Sequence, residues 1–95
     1  MNKILLINRL NPQDYSEQKN KDFFMIGGMN IPSVENRLID VINDSSIIGP
    51  NDMVLKYNGI ELRISTQQIP VVAKLLNDEN FSIYGIYQLY NPDNE

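Results

Sequence analysis

The side chains that most often carry out covalent chemistry are missing from this chain. It holds no His and no Cys, and its titratable groups are twelve Asp and Glu, eight Lys and Arg, and five Tyr. Without His there is no ordinary general base near neutrality and no imidazole ligand for a transition metal. Without Cys there is no thiolate nucleophile, no disulfide framework and no sulfur-ligated zinc or iron-sulfur centre. Ser-His and Cys-His hydrolysis are therefore excluded, and no carboxylate set has EF-hand spacing. Carboxylate, Lys or Tyr chemistry is what is left, and no convergent set of such residues can be named, so neither a catalytic residue nor a cofactor or metal site is expected.

Three short constellations still merit weighing. Asp78 and Glu79 fall between a helical and an extended pattern, where turn and cap duties account for them without acid-base catalysis. Gly27-Gly28, ahead of Met29, Asn30 and a helix start, has the outline of an anion-binding loop but neither the Walker spacing nor its Lys, and reads as a flexible turn. Glu35, Asp40 and Asp44, with Asn36 and Asn43, share one helical stripe and with Asp52 form an acidic array that suits a cationic cleft; a solvated helix face is the plainer explanation.

These groups must be held by elements that the patterning outlines. Lys3 to Arg9 reads as a strand apolar on both faces, as expected of a central, doubly covered position. Residues 10–31 read as a long loop excursion in which Asn11-Pro12 offers a short helical turn, and residues 22–26, with the run Phe23 to Ile26, read as an extra short strand or a flap. Ile31 to Asp44 is helical, with Val34, Leu38, Val41 and Ile42 on one stripe and Ser33 as candidate cap. Asn58-Gly59 between two alternating runs predicts a hairpin with a type I′ turn, Tyr57 opposite Ile60, Leu55 facing Leu62, Met53 facing Ile64, and Lys56 meeting Glu61 on the other face. Ser65 and Gln68 match a capping box for a second helix burying Val71, Val72, Leu75 and Leu76, with Pro70 in its first turn. Phe81 to Tyr90 alternates as a final strand, and residues 91–95 are a frayed tail.

The 95 residues make one domain,. The order is βαββαβ, an α+β chain with the split βαβ or ferredoxin-like arrangement, an antiparallel sheet with two helices on one face and the other face open. On that face Val54, Lys56, Glu61 and Arg63 come from the hairpin and Tyr84, Ile86 and Tyr90 from the last strand, a surface too apolar to leave in water and of interface quality.

The formal charge is −4, with four Lys/Arg against three Asp/Glu in residues 1–31 and four against nine in residues 32–95. That balance opposes phosphate-backbone binding. RNA recognition on this topology would also need stacking aromatics on the central strands, and ILLIN and IELRIS have none. No segment has the length of a membrane span or the form of a secretory signal, so a soluble, cytoplasmic protein is expected.

The function these features suggest is a small non-enzymatic inhibitor that binds and occludes a basic protein, a toxin, nuclease or effector, as an immunity protein, antitoxin or phage-type inhibitor does. Its contact residues are Tyr84, Ile86, Tyr90, Glu35, Asp40, Asp44, Lys56, Glu61 and Arg63, and the free protein is a monomer or homodimer. The alternative is a homodimeric ligand-sensing or assembly domain.

Overall fold

The computed structural model describes residues 7–8, 10–49 and 51–89. Tyr90 and the tail 91–95 lie outside the described residues, as does most of the expected first strand. The elements are β1 (Ile7–Asn8), β2 (Lys19–Ile26), α1 (Pro32–Ser45), β3 (Met53–Lys56), β4 (Gly59–Ser65), α2 (Gln68–Asp78) and β5 (Ile83–Leu89). The strands form one antiparallel sheet in the order β1-β5-β2-β4-β3. Both helices pack on a single face of it: Leu38 and Ile42 of α1 and Val72 and Leu76 of α2 share one buried cluster with Phe24, Ile26, Ile60, Leu62 and Ile64. The fold is thus α+β and compatible with a ferredoxin-like arrangement.

Two expectations about the strands are corrected. Residues 22–26 are neither a flap nor a short accessory strand; they end an eight-residue strand, β2, paired on both sides with β4 and β5. The excursion over residues 10–31 accordingly holds the middle of the sheet. The N-terminal strand does not take that place, because β1 pairs at the sheet edge with Gln88 and Leu89 of β5. β2 is hidden by its own composition. Its inward side chains run Asn20, Asp22, Phe24, Ile26, so a polar half breaks the apolar alternation by which a strand is recognised,.

The hairpin forms in a shifted register. Lys56 pairs with Gly59, Leu55 with Ile60, Val54 with Glu61 and Met53 with Leu62, so Tyr57 and Asn58 make the turn and Lys56 does not face Glu61. Neither turn residue has positive φ, which excludes the expected type I′ turn,. The cause is Gly59, which sits in the strand under the Phe23 ring and against the Phe24 carbonyl, where only a residue without Cβ fits. The shift is by two positions, so Met53 and Leu55 keep the core face while Tyr57 moves out to 88% exposure,.

The buried stripes of both helices follow their patterns, but Ser33 does not cap α1: the N-cap is Ile31, without a side-chain cap hydrogen bond, and Pro32 opens the first turn. Leu38 and Ile42 are buried on α1, with Val34 and Val41 packed beside them. On α2, Val72 and Leu76 are buried while Val71 is exposed. Gln68 Oε1 accepts hydrogen bonds from the Ser65 N–H at 2.9 Å and the Ser65 hydroxyl at 3.2 Å, which is the returning arm of a capping box,. Asn80, with φ 66°, ends α2: the Phe81 N–H donates to Leu76 O at 2.9 Å and the Asn80 N–H to Asn77 O at 3.0 Å, the paired bonds of a Schellman closure,. Arg37 reaches across from α1, donating to the Glu79 carbonyl and lying 4.7 Å from the centre of the Phe81 ring. Arg37→Ala should therefore cost about 1 kcal/mol, and Arg37→Lys should recover only part of it because an ammonium has no planar face to lay on the ring. Equal urea midpoints for wild type and Arg37→Ala would show that the bridge contributes nothing.

The chain ahead of β2 is tied down by turns rather than by a helix. Asn11 Oδ1 accepts from the Gln13 N–H and Asp14 Oδ1 from the Ser16 N–H, each at 3.0 Å,. Hydrogen bonds from Ser16 hold the Asp14 carboxyl below its usual range. Gln67 Nε2 then donates to the carbonyls of Pro12 and Asp14, both at 2.9 Å, docking the loop on the start of α2.

Candidate functional site

Because both helices cover one sheet face, the alternate side chains of β2, β3, β4 and β5 are left on the other. β2 places Lys21, Phe23 and Met25 there, β4 Glu61 and Arg63, β3 Val54 and Lys56, and β5 Tyr87 and Leu89. Phe23, Met25, Tyr87 and Leu89 floor a groove of about 500 Å³ whose rim is made by Lys56, Tyr57, Asn58 and Glu61.

Two glycines shape that floor. Phe23 and Tyr87 are direct cross-strand partners, and each leans toward a neighbouring glycine in the next row, where Met25 pairs with both Gly59 and Gly85. A Cβ on Gly59 would lie 2.8 Å from the tip of the Phe23 ring, and one on Gly85 would lie 2.7 Å from Cε2 of Tyr87. The absence of those two carbons lets both rings lie down along the sheet instead of standing up from it.

The last strand reaches this arrangement through a bulge. Met25 pairs with Gly85 but Ile26 pairs with Ile83, so Tyr84 is an extra residue on β5,. The inserted residue reverses the alternation: Ile83 faces the helices before it, and Ile86 and Gln88 face them after it. The expectation that Ile86 lies on the open face is therefore wrong, since Ile86 pairs with Phe24 and packs on the core. Tyr84 is exposed at 72%, but its ring lies beside Gly27 and it does not line the groove. Tyr90 lies outside the described residues.

The other expected contact residues divide between two surfaces. Lys56, Glu61 and Arg63 are on the open sheet face. Asp40 and Asp44 are exposed on the side of α1 turned away from buried Leu38 and Ile42, with Glu35 half-buried nearby. One compact epitope cannot hold both sets. The groove residues Phe23, Met25, Tyr57, Tyr87 and Leu89 are absent from the expected contact set. The alternation of KDFFMI, read as a full strand with Phe23 and Met25 on one side and Phe24 and Ile26 on the other, is the signal that points to the first two of them,.

Charge is segregated in the same way. Among the described residues Lys21, Lys56 and Arg63 on the sheet face form no ion pair; two acids lie beside them, Glu61 and Asp52, whose carbonyl accepts from the Arg63 N–H at 2.8 Å. Lys19, at the start of β2, is held by Asp52 at 3.2 Å. On the helix layer Glu35, Asp40, Asp44, Asp78 and Glu79 outnumber Arg37 and Lys74, and Lys74 is taken by Asp78 at 2.7 Å.

The chain matches no family model, no curated protein and no solved structure.

Among the described residues no group of three or more acidic side chains is placed to hold a metal ion, and no helix is long and apolar enough to cross a membrane. Aromatic stacking on the central strands is unavailable only if ILLIN is one of those strands. With β2 in the middle of the sheet instead, Phe23 and Tyr87 sit on adjacent inner strands.

Proposed function

We propose that this protein is a non-enzymatic binding protein that takes its ligand on the open face of the sheet. The observation that carries this reading is the groove of about 500 Å³, apolar on its floor and polar only at its rim. That size and lining suit holding a ligand, with Lys56, Asn58 and Glu61 available to orient it,. The frame we propose is the ferredoxin-like one, with β2-α1-β3-β4-α2-β5 as the split βαβ unit and β1 added beside β5; the spatial order β5-β2-β4-β3 supports it,.

A second reading, the inhibitor that occludes a basic protein, is favoured by the concentration of Glu35, Asp40 and Asp44 on the helix layer. One pair of variants separates the two. Tyr57→Ser/Tyr87→Ser should abolish the enhanced fluorescence of an apolar dye bound to the groove, with the melting temperature changed by less than a few degrees, while Asp40→Lys/Asp44→Lys should leave it intact. Dye binding that survives the tyrosine changes would remove the groove as the site. Capture of a basic protein that only the lysine variant loses would move the function to the helix layer.

A further inference from the structure

We infer that the ligand of the open face is a single-stranded nucleic acid, its bases stacked on Phe23 and Tyr87 and its phosphates met by Lys21, Lys56 and Arg63. This rests on the proposal that the open face is the binding surface, and adds to it the chemistry of the ligand.

The first support is geometric. Phe23 and Tyr87 are cross-strand neighbours whose rings reach over Gly59 and Gly85, so two aromatic rings lie together on adjacent inner strands of the open face. Stacking on aromatic side chains is the main sequence-tolerant contribution to single-strand binding, because every base has a π-face. Both rings are half-buried, which keeps their positions fixed while leaving area for a base.

The second support is charge complementarity. The net charge of −4 is the wrong sign for this ligand, but it is not spread evenly. On the sheet face Lys21, Lys56 and Arg63 without an ion-pair partner stand against Glu61, with Lys19 and Asp52 cancelling each other, a local balance of about +2, whereas the helix layer carries five acids against two cations. Even the thinnest dimension of the molecule is 21 Å, more than twice the screening length of about 8 Å at physiological ionic strength. The far acids therefore weigh little on an anion at the sheet. Glu61 is unfavourable toward a phosphate, yet it lines the groove with Asn58, and a carboxylate there can accept from the exocyclic amino group of a stacked base,.

The test is fluorescence anisotropy of the full chain with labelled ten-nucleotide single strands of mixed sequence, DNA in one arm and RNA in the other, and a blunt duplex as control. Single strands should bind and the duplex should bind at least ten-fold more weakly, because its bases are not free to stack. With three phosphates neutralised, affinity should fall roughly 20-fold between 50 and 200 mM salt. Tyr87→Ser should weaken binding about ten-fold or more. Lys56→Gln/Arg63→Gln, both at exposed positions and so without risk to folding, should flatten the salt dependence. The same samples are titrated with free adenine and indole while backbone amide shifts are followed. No binding of either single strand at 50 mM salt, or binding unmoved by Tyr87→Ser, overturns the inference. If the phosphate-free rings still shift the amides of Phe23 and Tyr87, or a protein ligand occupies that face, the binding surface stands and the nucleic-acid class falls. If no probe moves those amides, both fall together.

Discussion

Asp22→Asn is expected to stabilise the protein by about 4 kcal/mol at pH 8 and above. Asp22 is wholly buried on the helix-facing side of β2, between Leu62 of β4 and Gln88 of β5, and neither carboxyl oxygen has a hydrogen-bond partner. Burial alone pushes its carboxyl from the ordinary 3.8 up to about 7. Between those two values the folded chain keeps a proton that the unfolded chain has released, so stability falls as pH rises through that window and levels off above about 7,. The slope is about 1.4 kcal/mol per pH unit. Asn is close in shape, cannot ionise, and resembles the protonated acid in burying an unpaired polar group. The variant should therefore track wild type near pH 4 and separate from it progressively above. Urea melts at a series of pH values measure this, and parallel curves for the two proteins would rule out an ionising penalty at Asp22.

Gly59→Ala should be the most damaging of the glycine substitutions, costing about 3 kcal/mol, the upper end of the usual range for forced overpacking. A Cβ there would be driven into the carbonyl oxygen of Phe24, a backbone atom of the paired central strand, and would also meet the Phe23 ring tip at 2.8 Å. Backbone cannot turn aside as a side chain can, so β2 and β4 must separate at the Met25 and Gly59 pair. Gly85→Ala provides the contrast: the atoms nearest its Cβ all belong to the end of the Tyr87 side chain, which can swing outward. That variant should lose little stability while lifting the Tyr87 ring off the sheet, and so should weaken ligand binding more than folding. Equal melting temperatures for the two alanine variants would contradict the distinction between backbone and side-chain obstruction.

Several elements are legible in the sequence because the patterns that mark them are local. Leu38 and Ile42, one turn apart with Val34 and Val41 beside them, define α1 whatever it packs against,. Ser65 with Gln68 marks the approach to α2. The apolar alternation from Met53 to Ser65 shows a hairpin and its inward face, although its register needs the Phe23 and Phe24 contacts at Gly59 to settle. Of the site, Lys56, Glu61 and Arg63 are placed on the open face by that same alternation.

The remainder is decided by contacts between residues far apart in the chain. Asp22 and Asn20 disguise β2 as a polar excursion, yet the pairing available from β4 on one side and β5 on the other makes it the centre of the sheet and leaves β1 at the edge. Tyr84 adds one residue to β5, and with a side-chain period of two that single insertion exchanges the faces of everything after it, sending Ile86 inward and bringing Tyr87 and Leu89 out beside Phe23 and Met25,. Composition and periodicity determined the helices, the hairpin and the absence of His and Cys chemistry, because those properties belong to neighbouring residues. Strand order and the facing of β5, and with them the groove, were decided only by tertiary structure, where distant strands compete for the same backbone partners and the same buried face.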